Sequence, residues 1–151
     1  MKKNISIFHL SAFPYYTGGI DTWLYNLLSS LDGRYHITVY CPNPNDKSKE
    51  VIYDLSHLST TRVVYIGEFH SYFTMVTWAL KVFISQFSKI DKNSKILVLS
   101  TIPSFFPVIL LKLFGRIKSE IVCSVRGQLA RDAVEVNKNF VFQWAIKFIE
   151  G

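Results

Sequence analysis

The chain has 151 residues, which fits a single domain that can bury a core without metal ions or disulfide bonds. Hydrophobic residues make up 49% of it and charged residues 19%, a balance that excludes an intrinsically disordered chain. The net charge is +6, and residues 81–118 hold seven Lys or Arg residues against a single acidic one, Asp91.

This basic segment is compatible with a solvated surface, an anionic membrane or a phosphate-bearing ligand. Nucleic acid ranks last, because no nucleic-acid-reading motif accompanies the charge, and we expect no such partner. Residues 96–114 form the longest apolar stretch, but Ser, Thr, Pro and Lys interrupt it, so no membrane span is expected. Neither a secretory signal nor a disulfide framework is recognisable, which favours the cytoplasm, with peripheral membrane contact left open.

Short apolar runs alternate with longer segments of helical period, which predicts βαβ units and a parallel sheet. In chain order we expect a strand at residues 5–10, a helix at 20–31 that ends at Gly33, strands at 37–40 and 62–66, a helix at 71–87, a strand at 96–99, a helix at 103–114 followed by Gly115, and a strand at 120–124. A last helix is expected from residue 137 onward.

The predicted fold class is α/β, a Rossmann-like doubly wound parallel sheet with helices on both faces and strand order 3-2-1-4-5. In that order Cys41 and Cys123 lie about three strand spacings apart, roughly 14 Å. A disulfide needs Cα atoms within ~7 Å, so both cysteines are expected to be free thiols.

Two of the helices have unusual apolar patterns. The helix at 71–87 carries one stripe that we expect to pack in the core: Phe73, Val76, Leu80, Phe83 and Phe87. The helix after residue 137 has only a narrow polar strip, so it is expected to need cover on more than one side. A following domain or self-association of the chain would supply that cover.

In open α/β sheets, ligands bind beyond the carboxyl ends of the strands, between the first strand and the fourth. The loops in question start at Ser11, Ser100 and Val125. Gly18 and Gly19 lie in the first of them, directly before a helix. They indicate either a phosphate site at the helix N-terminus or only a tight turn.

The other two loops also offer candidate residues. Arg126 stands beside Gly127 and is suited to a phosphate or carboxylate, although a structural ion pair with Asp132 is equally compatible. Ser100 and Thr101 would hydrogen-bond sugar hydroxyls or cap the following helix.

Several enzyme classes are excluded by the motifs that the sequence lacks. After the first strand there is no G-x-G-x-x-G, no acidic residue ends the second strand, and neither a Walker motif nor G-x-S-x-G occurs. The scattered histidines and two cysteines do not have zinc-ligand spacing. His9 lies in a buried strand and is expected to be a hydrogen-bonded core residue rather than a base. We therefore expect no metal, no cofactor and no catalytic residue of a recognisable type.

Together, these segments resemble the N-terminal domain of the GT-B glycosyltransferases, in particular the retaining enzymes of family 4. The similar segments are Ser11 with Phe13-Pro14, Gly18-Gly19-Ile20-Asp21 opening a helix that closes Leu27-Leu28-x-x-Leu31, the strand Ile37-Thr38-Val39-Tyr40, and Val122-Cys123-Ser124-Val125-Arg126-Gly127-Gln128-Leu129. The resemblance covers nearly the whole chain.

The resemblance implies a role for each loop in moving a sugar from a nucleotide-sugar donor to a glycan or lipid-linked acceptor, in surface polysaccharide synthesis. The residues implied near the donor diphosphate or sugar are Gly18, Gly19, Arg126 and Gly127. The residues implied on the acceptor side are Tyr15, Tyr16, Asp21, Ser100 and Thr101.

In the family, most donor contacts come from a second Rossmann domain, which this sequence does not include. The resemblance therefore implies that residues 1–151 form one N-terminal, acceptor-side domain and are inactive by themselves. The alternative is a non-catalytic Rossmann-like module that docks on a membrane or a partner protein.

Overall fold

The computed structural model describes residues 3–45, 50–99 and 104–124. This part of the chain contains β1 (Lys3–Phe8), α1 (Gly19–Leu31), β2 (Tyr35–Cys41), β3 (Thr61–Tyr65), α2 (Tyr72–Gln86), β4 (Lys95–Leu99), α3 (Phe105–Leu113) and β5 (Ile121–Ser124). Each corresponds to an element that the sequence predicts, with ends shifted by at most two residues. The helix expected after residue 137 lies outside the described residues.

The five strands form one parallel sheet in the order β3-β2-β1-β4-β5. The central strand β1 pairs with both β2 and β4, so that Ile7 lies opposite Val39 on one side and Leu97 on the other. The strand order reverses between β1 and β4. The predicted α/β fold with a Rossmann-like sheet is therefore confirmed.

Helices cover both faces of the sheet because the strand residues alternate between two separate cores. On one face, the buried residues of α1 pack on those of β1 and β2; this core includes Ile7, Leu24, Leu28, Ile37 and Val39. On the other face, α2 and α3 pack on Phe8, Val98 and their neighbours; this core includes Trp78, Val82, Val108 and Leu111. Burying each of these large side chains contributes roughly 1.5–3 kcal/mol.

The prediction for α2 is wrong about which side of the helix packs in the core. The buried apolar residues are Trp78, Ala79 and Val82. Of the predicted stripe, Phe83 packs against this core, whereas the other four are exposed: Phe73, Val76, Leu80 and Phe87. Successive residues of a helix are turned by ~100° about its axis. At this spacing the apolar residues of α2 fall on two opposite sides of the helix. A periodic pattern identifies both sides equally, and the fit of the large Trp78 ring against the sheet decides between them.

The first and third helices end where the sequence predicts. Gly33 follows α1 with φ 75°, and Gly115 follows α3 with φ 66°, a left-handed conformation that glycine adopts most easily. At the N-terminus of α2, the Ser71 side chain accepts a hydrogen bond from the Thr74 amide, and the two residues form a capping box.

Asp32, directly after α1, fixes the loop that leads into β3. Its carboxylate accepts hydrogen bonds from the backbone amide and the hydroxyl of both Ser59 and Thr60, at 2.8–3.2 Å. These bonds, first of all the one from the Thr60 amide, hold the pKa of Asp32 well below its usual value. The carboxylate thus joins α1 to the start of the edge strand β3.

Both cysteines are free, as the strand order predicts. Cys41 ends β2 and is buried, whereas Cys123 lies in β5 and is exposed. Burial raises the pKa of the Cys41 thiol, so this residue stays protonated at neutral pH.

Candidate functional site

The carboxyl edge of the sheet, where β1 and β4 end, is the place where the candidate site is expected. The structure describes the loop that leaves β1 there, residues 9–18. Four of the predicted site residues lie outside the described part of the chain: Ser100, Thr101, Arg126 and Gly127. Of the three loops at this edge, the structure describes the one after β1.

Gly18 and Gly19 form an exposed turn at the start of α1. Gly18 is the N-cap, and its carbonyl accepts the first helical bond from the Thr22 amide at 2.9 Å. As a glycine, it contributes no side-chain hydrogen bond to the first turn. The amide groups that a side-chain cap would normally bind are therefore left for solvent or an anion.

The two glycines differ in what a side chain at each position would contact. A Cβ atom at Gly18 would lie 3.0 Å from Asp21 Oδ2, which is tighter than a normal contact. A Cβ atom at Gly19 would meet no atom of the described residues within 4 Å, and this residue has a helical conformation that any amino acid adopts. Packing thus accounts for a glycine at position 18, whereas nothing in the described part of the chain requires one at position 19.

A buried pair of polar side chains lies beneath this turn. His9, immediately after β1, and Asp21, in the first turn of α1, are joined by a hydrogen bond of 2.9 Å between Nε2 and Oδ1. His9 is 1% exposed and Asp21 7%. The expectation that His9 is a hydrogen-bonded core residue is confirmed.

The pair connects the central strand to the start of α1. The His9 amide donates to the Tyr40 carbonyl at 3.0 Å, which continues the β1–β2 pairing by one residue. An acidic residue in the first turn also interacts favourably with the helix dipole. The structure thus gives Asp21 a supporting position under the glycine turn, and its predicted contact with an acceptor stays a prediction.

A group of tyrosines surrounds the same loop. Tyr53 stacks on Phe13 and on Tyr25, with ring centroids 5.7 and 5.1 Å apart. Its hydroxyl is 2.8 Å from Thr22 Oγ1, which itself donates to the Gly18 carbonyl. Tyr53 therefore stabilises the glycine turn through its contact with Thr22.

Sequence reasoning missed Tyr53 entirely. It lies between β2 and β3 in a segment without hydrophobic period, and its contact with Thr22 joins residues 31 positions apart. In the sequence, Tyr53 is a single aromatic residue in an irregular segment, and such residues are too common to indicate a site.

The predicted acceptor residues Tyr15 and Tyr16 are both half-buried in the loop. Tyr15 packs at a tilt against Tyr65, with centroids 6.1 Å apart. The Tyr65 hydroxyl donates to the Phe13 carbonyl at 3.1 Å, and burial raises the pKa of this phenol. The loop thus carries two half-buried tyrosines near the glycine turn, a residue type suited to hydrogen bonding and stacking with sugars.

Within residues 3–45, 50–99 and 104–124, no group of His, Cys, Asp or Glu is arranged to hold a metal ion. In the same ranges, no helix is long and apolar enough to cross a bilayer. Comparison with known proteins gave no match: neither a protein-family model nor a curated protein nor a solved structure matches the chain. The resemblance in the sequence therefore stays a prediction.

Proposed function

We propose that the chain forms the acceptor-side Rossmann-like domain of a GT-B glycosyltransferase, which transfers a sugar from a nucleotide-sugar to a glycan or lipid-linked acceptor. The observation that carries the proposal is Gly19. It opens α1 at the carboxyl edge of the central strand, its backbone is exposed, and within the described part of the chain no atom lies where its side chain would be. Such a glycine is explained if a diphosphate has to approach the backbone closely at this position.

The residues around Gly19 fit this role. The buried His9–Asp21 pair and Tyr53 hold the turn from two sides, so the amide groups of α1 are fixed before a ligand arrives. Such preorganised donors interact with developing negative charge without having to rearrange. Tyr15 and Tyr16 lie on the same loop and would contact the acceptor.

Arg126 and Gly127 would complete the donor side, and Ser100 and Thr101 the acceptor side, as the sequence resemblance implies. In the proposed enzyme, cationic groups of a donor-side domain would stabilise the leaving diphosphate. We place the enzyme in the cytoplasm, at the membrane surface.

The test is a titration of the isotopically labelled chain with UDP-sugars and GDP-sugars, followed by the backbone amide signals in NMR spectra. We expect one nucleotide class to shift the signals of Gly18, Gly19 and Ile20. Inorganic phosphate at equal concentration should shift them less. Equal shifts with phosphate would show only an anion site at a helix end, and unchanged signals with every nucleotide would contradict the proposal.

The alternative, a non-catalytic module that docks on another surface, is favoured by a different observation. Several large apolar side chains of α2 are exposed to solvent, most of all Phe73 and Ile84. This feature is compatible with an enzyme as well, since these side chains belong to α2 and not to the loop that contains Gly19. Sugar-nucleotide binding at Gly19 distinguishes the two functions.

A further inference from the structure

The side of α2 that points away from the sheet is a continuous apolar face, formed by Phe73, Val76, Leu80, Ile84 and Phe87. These residues are spaced three or four positions apart, so they form one stripe along the full length of the helix. Phe73 is 78% exposed and Ile84 is 71% exposed. Exposed apolar stripes of this length indicate an interaction surface.

The apolar face continues onto the end of α3. Phe114 packs against Phe83 and Phe87, with ring centroids 5.4 and 6.1 Å apart, and yet is itself 62% exposed. Leu113 beside it is exposed as well. At the C-terminal end of α2, Phe83, Phe87 and Phe114 therefore form an aromatic platform that joins α2 to the end of α3.

Arg116 contacts this platform, and other basic residues follow the two helices in the chain. The Arg116 guanidinium lies 5.2 Å from the centre of the Phe87 ring, in a cation–π contact. The Lys118 amide donates to the Lys92 carbonyl at 3.1 Å, which brings two exposed lysines to the same end of the sheet. Lys112, in the last turn of α3, adds a further charge.

Acidic residues are missing from both helices. Neither α2 nor α3 contains an Asp or Glu. Asp91 is the one acidic residue between positions 81 and 118, and its carboxylate accepts hydrogen bonds from the Asn4 side chain and the Asn93 amide. The two helices therefore combine apolar area with basic residues and with no acidic residue of their own.

We propose that this face docks on the surface of an anionic lipid bilayer, with α2 lying in the plane of the headgroups. Apolar side chains on one stripe and cations at its border are the features that hold a helix in the interface of a membrane. A second copy of the chain would cover the apolar face but would offer its bordering cations no opposite charge, and nucleic acid would leave the apolar stripe in water. The inference does not depend on sugar transfer.

The test uses co-sedimentation of the 151-residue chain with phosphatidylcholine vesicles and with vesicles that also contain phosphatidylglycerol. We expect binding only with phosphatidylglycerol, and weaker binding at high salt because the charges are screened. The variant carrying Phe73→Ser and Ile84→Ser should bind about tenfold more weakly or worse. Ile52→Ser is the control, since Ile52 is an exposed apolar residue outside the apolar face.

Thermal unfolding and sedimentation velocity complete the experiment. Because Phe73 and Ile84 are exposed, the double variant should keep the melting temperature of the parent chain. A large fall in melting temperature would show that other residues of this chain cover the face. Binding that ignores lipid charge and salt, or dimers that dissociate in the double variant, would likewise overturn the proposal.

Discussion

Gly19 offers a way to separate ligand binding from stability with one methyl group. In the variant Gly19→Ala, the added Cβ meets no atom within 4 Å in the described part of the chain. The residue is the first of α1, where alanine has the better helix propensity and restricts the unfolded chain. We therefore expect the free energy of unfolding to rise by about 0.4–1 kcal/mol.

Gly18→Ala is the matched variant one residue earlier. The backbone of Gly18 is extended, with φ −168°, so alanine fits the conformation itself. Its Cβ would, however, lie 3.0 Å from Asp21 Oδ2, and the hydrogen bond to His9 keeps that carboxylate from moving away. Overpacking of this kind costs about 1–3 kcal/mol, so the two variants should shift stability in opposite directions.

Denaturant unfolding measures this difference, and the amide titration with the nucleotide-sugar measures the functional consequence. Gly19→Ala should remove the ligand-induced shifts while raising the melting temperature by about 1–4 °C. Retained nucleotide binding in Gly19→Ala would refute the idea that a diphosphate approaches this backbone. A loss of stability in Gly19→Ala would show that a Cβ atom at position 19 does meet neighbouring atoms.

Three further predictions concern the core and the loops. Replacing His9 by Ala leaves the buried Asp21 carboxylate unpaired and should cost about 3 kcal/mol or more in urea unfolding, most of which a second change of Asp21 to Ala should restore. Asp32→Asn should lower the melting temperature at pH 7. Because the folded state lowers the Asp32 pKa, that difference should persist above the usual aspartate value of 3.8, shrink as the pH falls below it, and be lost only as the pH passes the lowered pKa of the folded state. Iodoacetamide should alkylate Cys123 in the native chain before Cys41, as peptide mass spectrometry will show.

Local chemistry accounts for the part of the fold that the sequence predicts. Strands rich in β-branched residues and helices bounded by Gly33 and Gly115 are local signals, because each depends on neighbours within a few residues. The glycine turn at the head of α1 belongs to the same class. Together with the preference of βαβ units for parallel pairing, these signals predict a parallel sheet, and its strand order follows from the doubly wound architecture that such sheets commonly adopt.

The parts that could not be predicted depend on long-range packing. The two apolar sides of α2 give equal periodic signals, and only contact with the sheet distinguishes Trp78 from Phe73. The bond between His9 and Asp21 requires α1 to fold back onto β1. Tyr53 reaches the glycine turn from an irregular segment, so its position follows from the tertiary fold alone.

The two proposals together make a prediction about the acceptor. Helices that link parallel strands run opposite to them, so the first residues of α1 and α2 both lie at the carboxyl edge of the sheet. With α2 flat on a bilayer, that edge and the loop of Tyr15 would stand beside the membrane surface, within reach of an acceptor anchored in it. In the proposed full enzyme, Phe73→Ser with Ile84→Ser should therefore slow transfer to a lipid-linked acceptor in vesicles but not to its water-soluble analogue. Equal loss with both acceptors would mean that the apolar face supports the fold of the enzyme rather than its access to lipid.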